Sequence, residues 1–383
     1  VSTYTMGDIV LQLMFDILDP TADFDRLLNG PTNAVWLDPW HEYLVNAGVV
    51  YHFDARLMQL KTADGLIANA TIEKDGQQFD VHGDYFIAAL PVEVFAPFIS
   101  KEMLKLDPTL HDLRTLAPNT EWMNGLQIFL KRDVGLVNGH INIVDSTWAV
   151  TCISQRQFWS QDFPFAEFGD GTVQGILSVV ISDWNRKGVL GRTARECTKE
   201  QIFQEVWEQL KRSFNIDGTV LLKDEDVHSW FLDPDIVFEN GPHDPDPDKK
   251  HNTEPLLVNL VNTWGIRPEA YTRIPNFFLA SDYVRTNTDL ASMEAANEAA
   301  RRAVNCIIDA TGSKARPCKI WPVHKPAIFE FWRSHDLLRF EKGLPWDGKN
   351  SVGTFWRPRT WFYFLQHLYF RLRLMIRRRR LRG

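Results

Sequence analysis

The sequence has no run of about 18 apolar residues, the minimum that reads as a membrane-crossing helix. Its four cysteines, Cys152, Cys197, Cys306 and Cys318, show neither CxxC nor zinc-type spacing. They read as neutral thiols in a reducing compartment. No GxSxG, Walker A or HExxH pattern occurs, so hydrolase and kinase chemistry have no support. A strand–GxGxxG–helix sequence, the fingerprint of a dinucleotide phosphate site, is also missing. The nearest stretch runs from Gly169 to Gly175, with its glycines wrongly spaced and an apolar strand, Ile176 to Ile181, after it. It reads as a hairpin turn. No signal-peptide pattern is visible at the start.

Acidic residues run out at Asp347. Beyond it lie ten basic residues: Lys349, Arg357, Arg359, Arg371, Arg373, Arg377, Arg378, Arg379, Arg380 and Arg382. The net charge of −7 therefore hides an acidic body, with 32 basic against 49 acidic residues over 1–347. Such a body does not offer nucleic acid a broad basic face, and no nucleic-acid partner is expected. The basic end also carries Phe355-Trp356, Trp361 to Leu365, Leu368 to Phe370 and Leu372 to Ile376. Aromatics at one end and arginines at the other suit an interfacial helix on anionic lipid. The alternative is a helix docked on the protein with a basic tail. The expectation is a cytoplasmic protein with peripheral membrane attachment through 355–383.

A chain of 383 residues can bury two cores. The 14 Trp and 25 Phe suit a greasy pocket, a membrane-facing surface or simply a large interior. The most informative stretch is Asn276 to Asp309. Phe277 to Ala280 reads as a buried strand ending at Ser281-Asp282, followed by a polar loop. A helix follows, with Met293, Ala296, Ala300, Ala303, Val304 and Ile307 at helical spacing. A strand end, a carboxylate and a helix N-terminus together make a place to hold a polar, negatively charged ligand.

This stretch resembles the C-terminal flavin-binding motif of the FAD-dependent amine oxidase/phytoene desaturase superfamily, closest to its carotenoid desaturase-like branch. The resemblance implies that Asp282 lies by the ribityl-pyrophosphate part of FAD. It implies that Met293 and Glu294 open a helix pointing at the isoalloxazine. Where the family often has Gly after that Glu, this chain has Ala295.

A second block agrees. Asp38 and Pro39 read as N-cap and first helical residue, and Gly48 as the helix stop. Strands are expected over Val49 to Leu60, Leu66 to Glu73 and Gln77 to Ala89, with Asp64-Gly65 as a hairpin turn. By resemblance, Leu57 offers a backbone contact to the adenine, and Ala88, Ala89 and Leu90 before Pro91 pack near the adenosine. The run from Pro255 to Asn276 also resembles this branch. Within it Trp264 is either a cavity residue near the flavin or a domain-junction tryptophan.

Between these blocks, strands are expected over Gly125 to Lys131, His140 to Ile153, Gly175 to Ser182 and Thr219 to Phe231. A helix from Thr198 to Phe214 has a Thr198/Gln201 capping box and an apolar face of Ile202, Phe203, Val206, Trp207 and Leu210. Asp233 to Glu254 reads as a solvated loop. Its His243, Asp244, Asp246 and Asp248 read as turn chemistry rather than metal ligands.

The expected fold is mixed α/β: a partial two-domain FAD-dependent oxidoreductase. Residues 36–100 and 255–312 form a discontinuous FAD-binding domain. Residues 1–35 and 101–254 form a substrate domain with a mixed or antiparallel sheet, one wall of the substrate cavity. Residues 313–383 form an aromatic, Arg-rich, membrane-associating extension. The chain opens with Val1 and no GxGxxG, so the first βαβ unit is expected to lie outside these residues, on a longer chain or on an N-terminal partner chain. By itself this chain is expected to bind FAD poorly or not at all.

Three functions stand. One is FAD-dependent desaturation or dehydrogenation of a long hydrophobic, isoprenoid-like substrate, with hydride passing to flavin N5. The second is FAD-dependent amine oxidation. The third is a non-catalytic fragment, or a subunit that needs a partner with the Rossmann half. No catalytic residue is assigned.

Overall fold

The computed structural model describes residues 5–7, 9–11, 14, 27–159, 163–322, 330–345 and 365. The chain divides into two compact units, Val1–Thr5 with Thr21–Ile320, and Met6–Pro20 with Trp321–Gly383.

The first unit begins with a π-helical turn, Asn33–Leu37, that runs straight into helix α1, Asp38–Asn46. Asp38 is thus inside a continuous helix and Leu37 takes the cap position, which corrects Asp38 as N-cap. Gly48, at φ +92°, ends the helix as expected, its amide bonding Val45 O at 2.9 Å. The expected strand at Val49 does not start there. Tyr51 and Phe53 fold onto His41 of α1, with ring centroids at 4.9 and 5.4 Å. Asp54 turns the chain through φ +55°.

Three antiparallel strands follow: β1, Arg56–Ala63; β2, Leu66–Lys74; and β3, Gln77–Val81. Both hairpins turn on Asp-Gly, Asp64-Gly65 at φ +52° and +79° and Asp75-Gly76 at +53° and +72°. Two successive left-handed residues are what a two-residue hairpin demands. The long strand expected to Ala89 breaks at His82-Gly83-Asp84. Past it, β4, Phe86–Ala88, leaves the meander for a different sheet.

Three short helices come next: α2, Val92–Phe95; α3, Lys101–Leu106; and α4, His111–Leu116. The Ser100 hydroxyl caps α3 by accepting the Met103 amide. Phe95, Met103, Leu110, Leu113 and Leu116 pack with Ile67 of β2 and with Phe277 and Leu279 into one core.

A second core sits under a five-stranded antiparallel sheet. Short β5, Thr120–Glu121, leads into its strands: β6, Asn124–Leu130; β7, Ile141–Asn142; β8, Thr151–Ser154; β9, Gly175–Ile181; and β10, Val227–Leu232. The order is β10-β6-β9-β8-β7. β6 alternates strictly. Leu126, Ile128 and Leu130 are buried, while Gln127 and Phe129 face the other side. The buried face packs on helix α5, Lys199–Phe214, through Ile202, Val206, Trp207 and Leu210. The Thr198/Gln201 capping box forms as expected.

The outer expected strands are shorter than their apolar runs. His140 to Ile153 yields β7 and β8 around a turn, with Ala149 at φ +48°. Thr219 to Phe231 yields only β10 after a 3-10 turn at Asp224–Asp226. The expected loop over Asp233 to Glu254 is a hairpin, β11, Ile236–Phe238, with β12, Lys250–Asn252. Ile236 and the Lys250 stem are buried there, and Lys250 Nζ donates to Arg195 O at 2.6 Å. His243 pairs with Glu200, and Asp244 and Asp246 accept turn amides. Among the described residues no group of metal-binding side chains forms.

β13, Leu256–Leu257, pairs with β5. β14, Phe277–Leu279, is buried and runs parallel to β4, Phe277 opposite Phe86 and Leu279 opposite Ala88. Helix α6, Met293–Thr311, packs on β14 and ends at Gly312 in the left-handed region. Its buried stripe is Ala295, Ala299 and Ala303, with Glu298 beside it. Met293, Ala300 and Val304, expected on that stripe, are exposed instead.

The second unit contributes helix α7, Glu330–Glu341, ended by Gly343 at φ +64°. Apart from Leu365, the aromatic and arginine-rich segment 355–383 lies outside the described residues, and so does the membrane attachment expected of it. No described helix is long and apolar enough to cross a membrane.

Candidate functional site

The two parallel strands end side by side, and their carboxyl ends define a mouth. The Ala280 amide donates to Ala88 O at 2.9 Å, which closes the ladder. Past it β4 continues into exposed Ala89 and β14 into Ser281-Asp282. Ser281 sits at φ +150°, a region non-glycine residues rarely enter and one that persists only where surrounding structure enforces it. Crevices at the carboxyl ends of parallel strands are where α/β folds bind ligands. At the far end of the loop, Ser292 caps α6. Its hydroxyl accepts the Ala295 amide at 3.3 Å and its carbonyl the Ala296 amide at 3.0 Å. The earlier amides, of Met293 and Glu294, are the ones left for a ligand at the positive end of the helix.

The loop between is held from behind by Arg267, whose side chain is 1% exposed. Its guanidinium donates to the backbone oxygens of Asp282, Tyr283 (2.9 Å) and Val284 (3.3 Å). It also donates to the Asn259 amide oxygen and pairs with the Asp289 carboxylate. Burial pulls the Arg267 pKa down, and the Asp289 charge opposes that pull. Asp289 accepts a further hydrogen from Thr5 at 2.6 Å, and its carbonyl accepts from Asn259 at 2.7 Å. Glu298 on α6 accepts the Asn287 amide at 2.9 Å. Asn276, just before β14, clasps the Ile67 backbone through its side-chain oxygen (2.9 Å) and nitrogen (2.8 Å). Strand, loop and helix start are therefore fixed before any ligand arrives.

Of the six expected residues, the structure brings Ala89 and Asp282 to one edge, on neighbouring strands. Met293 and Glu294 stand exposed on the first turn of α6. Leu57 is half-buried in β1, where it packs on the first core beside a β-bulge. Trp264 is 39% exposed, with the guanidinium groups of Arg267 and Arg285 at 5.9 and 5.6 Å from its ring. Sequence reasoning missed Glu93, on α2 just past Pro91. Burial pushes the Glu93 carboxyl up, and the nearby Asp282 charge adds to the shift. One of its oxygens is buried without a described partner. The signal was present as an acidic residue five positions past the end of an apolar strand. The structural roles of Arg267 and Asn276 gave no such signal.

The outer face of the five-stranded sheet carries two further cavities. One of 370 Å³ is lined by Leu28, Pro31, Gln127, Phe129 and Ile153. The other, 380 Å³, is nearly all aromatic and aliphatic. Cys152 and Cys197 lie on the opposite, core side. Burial raises their thiols to about 12 and about 11, which removes them as nucleophiles at neutral pH.

With that geometry in place, a family model for flavin containing amine oxidoreductases matches residues 37–308. The chain belongs to that family, and FAD is the family's cofactor. Three solved structures resemble the chain. An oxidoreductase from Methanosarcina mazei is 13% identical, covers 72% of this chain and 54% of its own, and has a TM-score of 0.40. A geranylgeranyl bacteriochlorophyll reductase-like protein from Thermoplasma acidophilum is 13% identical, covers 79% and 59%, and has a TM-score of 0.35. A flavoprotein/dehydrogenase from Cytophaga hutchinsonii is 12% identical, covers 77% and 58%, and has a TM-score of 0.31. The chain thus spans little more than half the length of these structures. No curated protein matches the sequence.

Proposed function

We propose that this protein acts as an FAD-dependent oxidoreductase on a long hydrophobic, isoprenoid-like substrate. The observation that carries the flavin part is the mouth at the ends of β4 and β14, in a chain that belongs to the flavin containing amine oxidoreductase family. Its donor set fits a flavin nucleotide. Asp282 can accept hydrogen bonds from ribityl or ribose hydroxyls. The first amides of α6 can face negative charge. Ala89 lets the ligand approach the backbone closely, and Leu57 on β1 is the proposed adenine contact. The flavin, when bound, supplies a hydride acceptor at N5; a substrate that loses hydride from an allylic carbon and a proton from its neighbour gains a double bond.

The protein's own part is to hold the mouth rigid through Arg267 and Asn276 and to exclude water from the apolar side. The apolar 380 Å³ cavity on the outer sheet face favours an apolar substrate over a charged amine. In this reading the five-stranded sheet is the substrate wall. Residues 355–383 would meet an anionic membrane in which such a substrate dissolves. The sequence contains no GxGxxG, so the reading includes a pyrophosphate-binding segment supplied from outside these residues. Anaerobic bleaching of the flavin absorbance by isoprenoid substrates tests this. Bleaching by amines and not by isoprenoids would move the assignment to amine oxidation.

A further inference from the structure

The glycine turn that fails as a phosphate loop has another use. Gly169 and Gly171 both lie in the left-handed region, at φ +60° and +77°. A side chain at Gly171 would also meet Ala166 O at 3.0 Å. The turn presents Asp170, one oxygen of which accepts from the amide (3.0 Å) and the hydroxyl (2.7 Å) of Thr172. Its other oxygen lies 3.0 Å from His228 Nε2. His228 is the extra residue of a β-bulge in β10, since Val227 pairs with Leu130 and Ser229 with the adjacent Phe129. Bulges of this kind re-aim a side chain, and they gather next to functional sites. His228 Nδ1 in turn lies 2.8 Å from Ser229 Oγ.

A carboxylate only accepts, so Nε2 carries the imidazole hydrogen and Nδ1 of the neutral ring accepts from the Ser229 hydroxyl. The lone pairs of Ser229 Oγ are then what the chain Ser229–His228–Asp170 offers a ligand. His228 and Ser229 lie on the rim of the 380 Å³ cavity, the rest of which is apolar. Trp159, Phe163, Phe165 and Phe168 wall it with ring centroids 4.7 to 5.3 Å apart, and Phe129 and Ile176 form its floor. The volume is in the range of small-ligand sites, and an apolar pocket with a few convergent polar groups is their usual form.

We propose that this cavity binds an apolar chain ending in a hydroxyl, with the hydroxyl donating to Ser229 Oγ and the Asp170–His228 pair fixing that serine as an acceptor. The site extends the reading of an apolar substrate. Its readout is binding, so it stands or falls without flavin turnover.

The test is equilibrium dialysis of the full chain against radiolabelled farnesol and against farnesyl methyl ether, which cannot donate. The alcohol should bind roughly 3- to 10-fold more tightly, the span of one net hydrogen bond. Ser229→Ala should bring that ratio close to one while keeping the ether affinity. Asp170→Asn can donate to Nε2 and move the imidazole hydrogen to Nδ1, so it should also lower the ratio. Val173→Trp, which fills the cavity, should lose both ligands. Circular dichroism checks the fold of each variant. Equal binding of alcohol and ether, no binding of either, a ratio unchanged in Ser229→Ala, or full binding by Val173→Trp would overturn the site.

Discussion

Arg267 and Asp289 form a buried ion pair that ties the segment before β14 to the loop before α6. The pair is not an isolated contact, because the same guanidinium collects three backbone oxygens from Asp282 to Val284. A charge removed from water this completely is tolerated only where every hydrogen finds an acceptor. The arrangement sets the path of the backbone around Ser281 and Asp282, and so the shape of the mouth at the ends of β4 and β14.

Removing one partner should be costly. Arg267→Met leaves Asp289 and the loop carbonyls without their donor. It should lower unfolding stability by about 3–5 kcal/mol, as breaking buried pairs does. Replacing both partners, Arg267→Met with Asp289→Leu, should cost less than the sum of the single changes. Urea unfolding followed by circular dichroism measures all three; additive losses would show that the two side chains do not act as a pair.

Asn276 joins two elements 209 residues apart by holding both the amide and the carbonyl of Ile67. Asn276→Ala leaves both groups buried and unpaired. The loss should be about 2–5 kcal/mol, near twice the cost of one unsatisfied buried group. Hydrogen exchange at the Ile67 amide should speed up in the variant; unchanged protection would show that the clasp is dispensable.

Much of this arrangement could be read from the sequence. The strand from Phe277, the polar loop and the helix opening at Met293 are local patterns, and they formed where the pattern put them, the strand ending one residue early at Leu279. The Asp64-Gly65 turn and the Thr198/Gln201 box were legible for the same reason. The strand expected from Val49 failed because Tyr51 and Phe53 pack on His41, a tertiary choice no alternation reveals. Asp233 to Glu254 looked solvated because its acidic residues dominate the composition, yet Ile236 and the Lys250 stem anchor a hairpin. The role of Arg267 was hidden because three of its acceptors are backbone oxygens and its charged partner, Asp289, lies 22 residues further along the chain.

Glu93 gives a pH signature. Burial and the Asp282 charge raise its pKa above the ordinary 4.5, so the folded state holds this proton more tightly than the unfolded chain does. The stabilising effect of the bound proton is fully present below the unfolded pKa and is lost as pH rises through the raised folded value. Glu93→Gln should therefore gain stability relative to wild type as pH goes from 4 to 7. Asp282→Asn should shrink that gain by removing the neighbouring charge. Urea midpoints at the two pH values decide it, and a Glu93→Gln effect independent of pH would contradict the assignment.

The thiols should divide by burial. Cys152 and Cys197 are buried with pKa values raised to about 12 and about 11, whereas Cys306 and Cys318 are partly exposed, burial raising the Cys306 thiol as well. Iodoacetamide at neutral pH, followed by peptide mass spectrometry, should label Cys318 or Cys306 first. Cys152 and Cys197 should react only after unfolding. Early labelling of Cys152 would mean that the five-stranded sheet opens in the native state.

The central claim is that the mouth at Ala89, Asp282 and the start of α6 holds flavin, and an FAD titration followed by flavin fluorescence tests it most directly. Without a GxGxxG segment in the sequence, the chain should bind saturably but weakly, with Kd above about 1 µM, a binding free energy weaker than about −8 kcal/mol. Asp282→Ala should weaken binding several-fold, and Ser213→Ala, on α5 against the five-stranded sheet, should leave it unchanged. Tight binding, with Kd well below about 1 µM, or equal affinity in Asp282→Ala, would contradict the account.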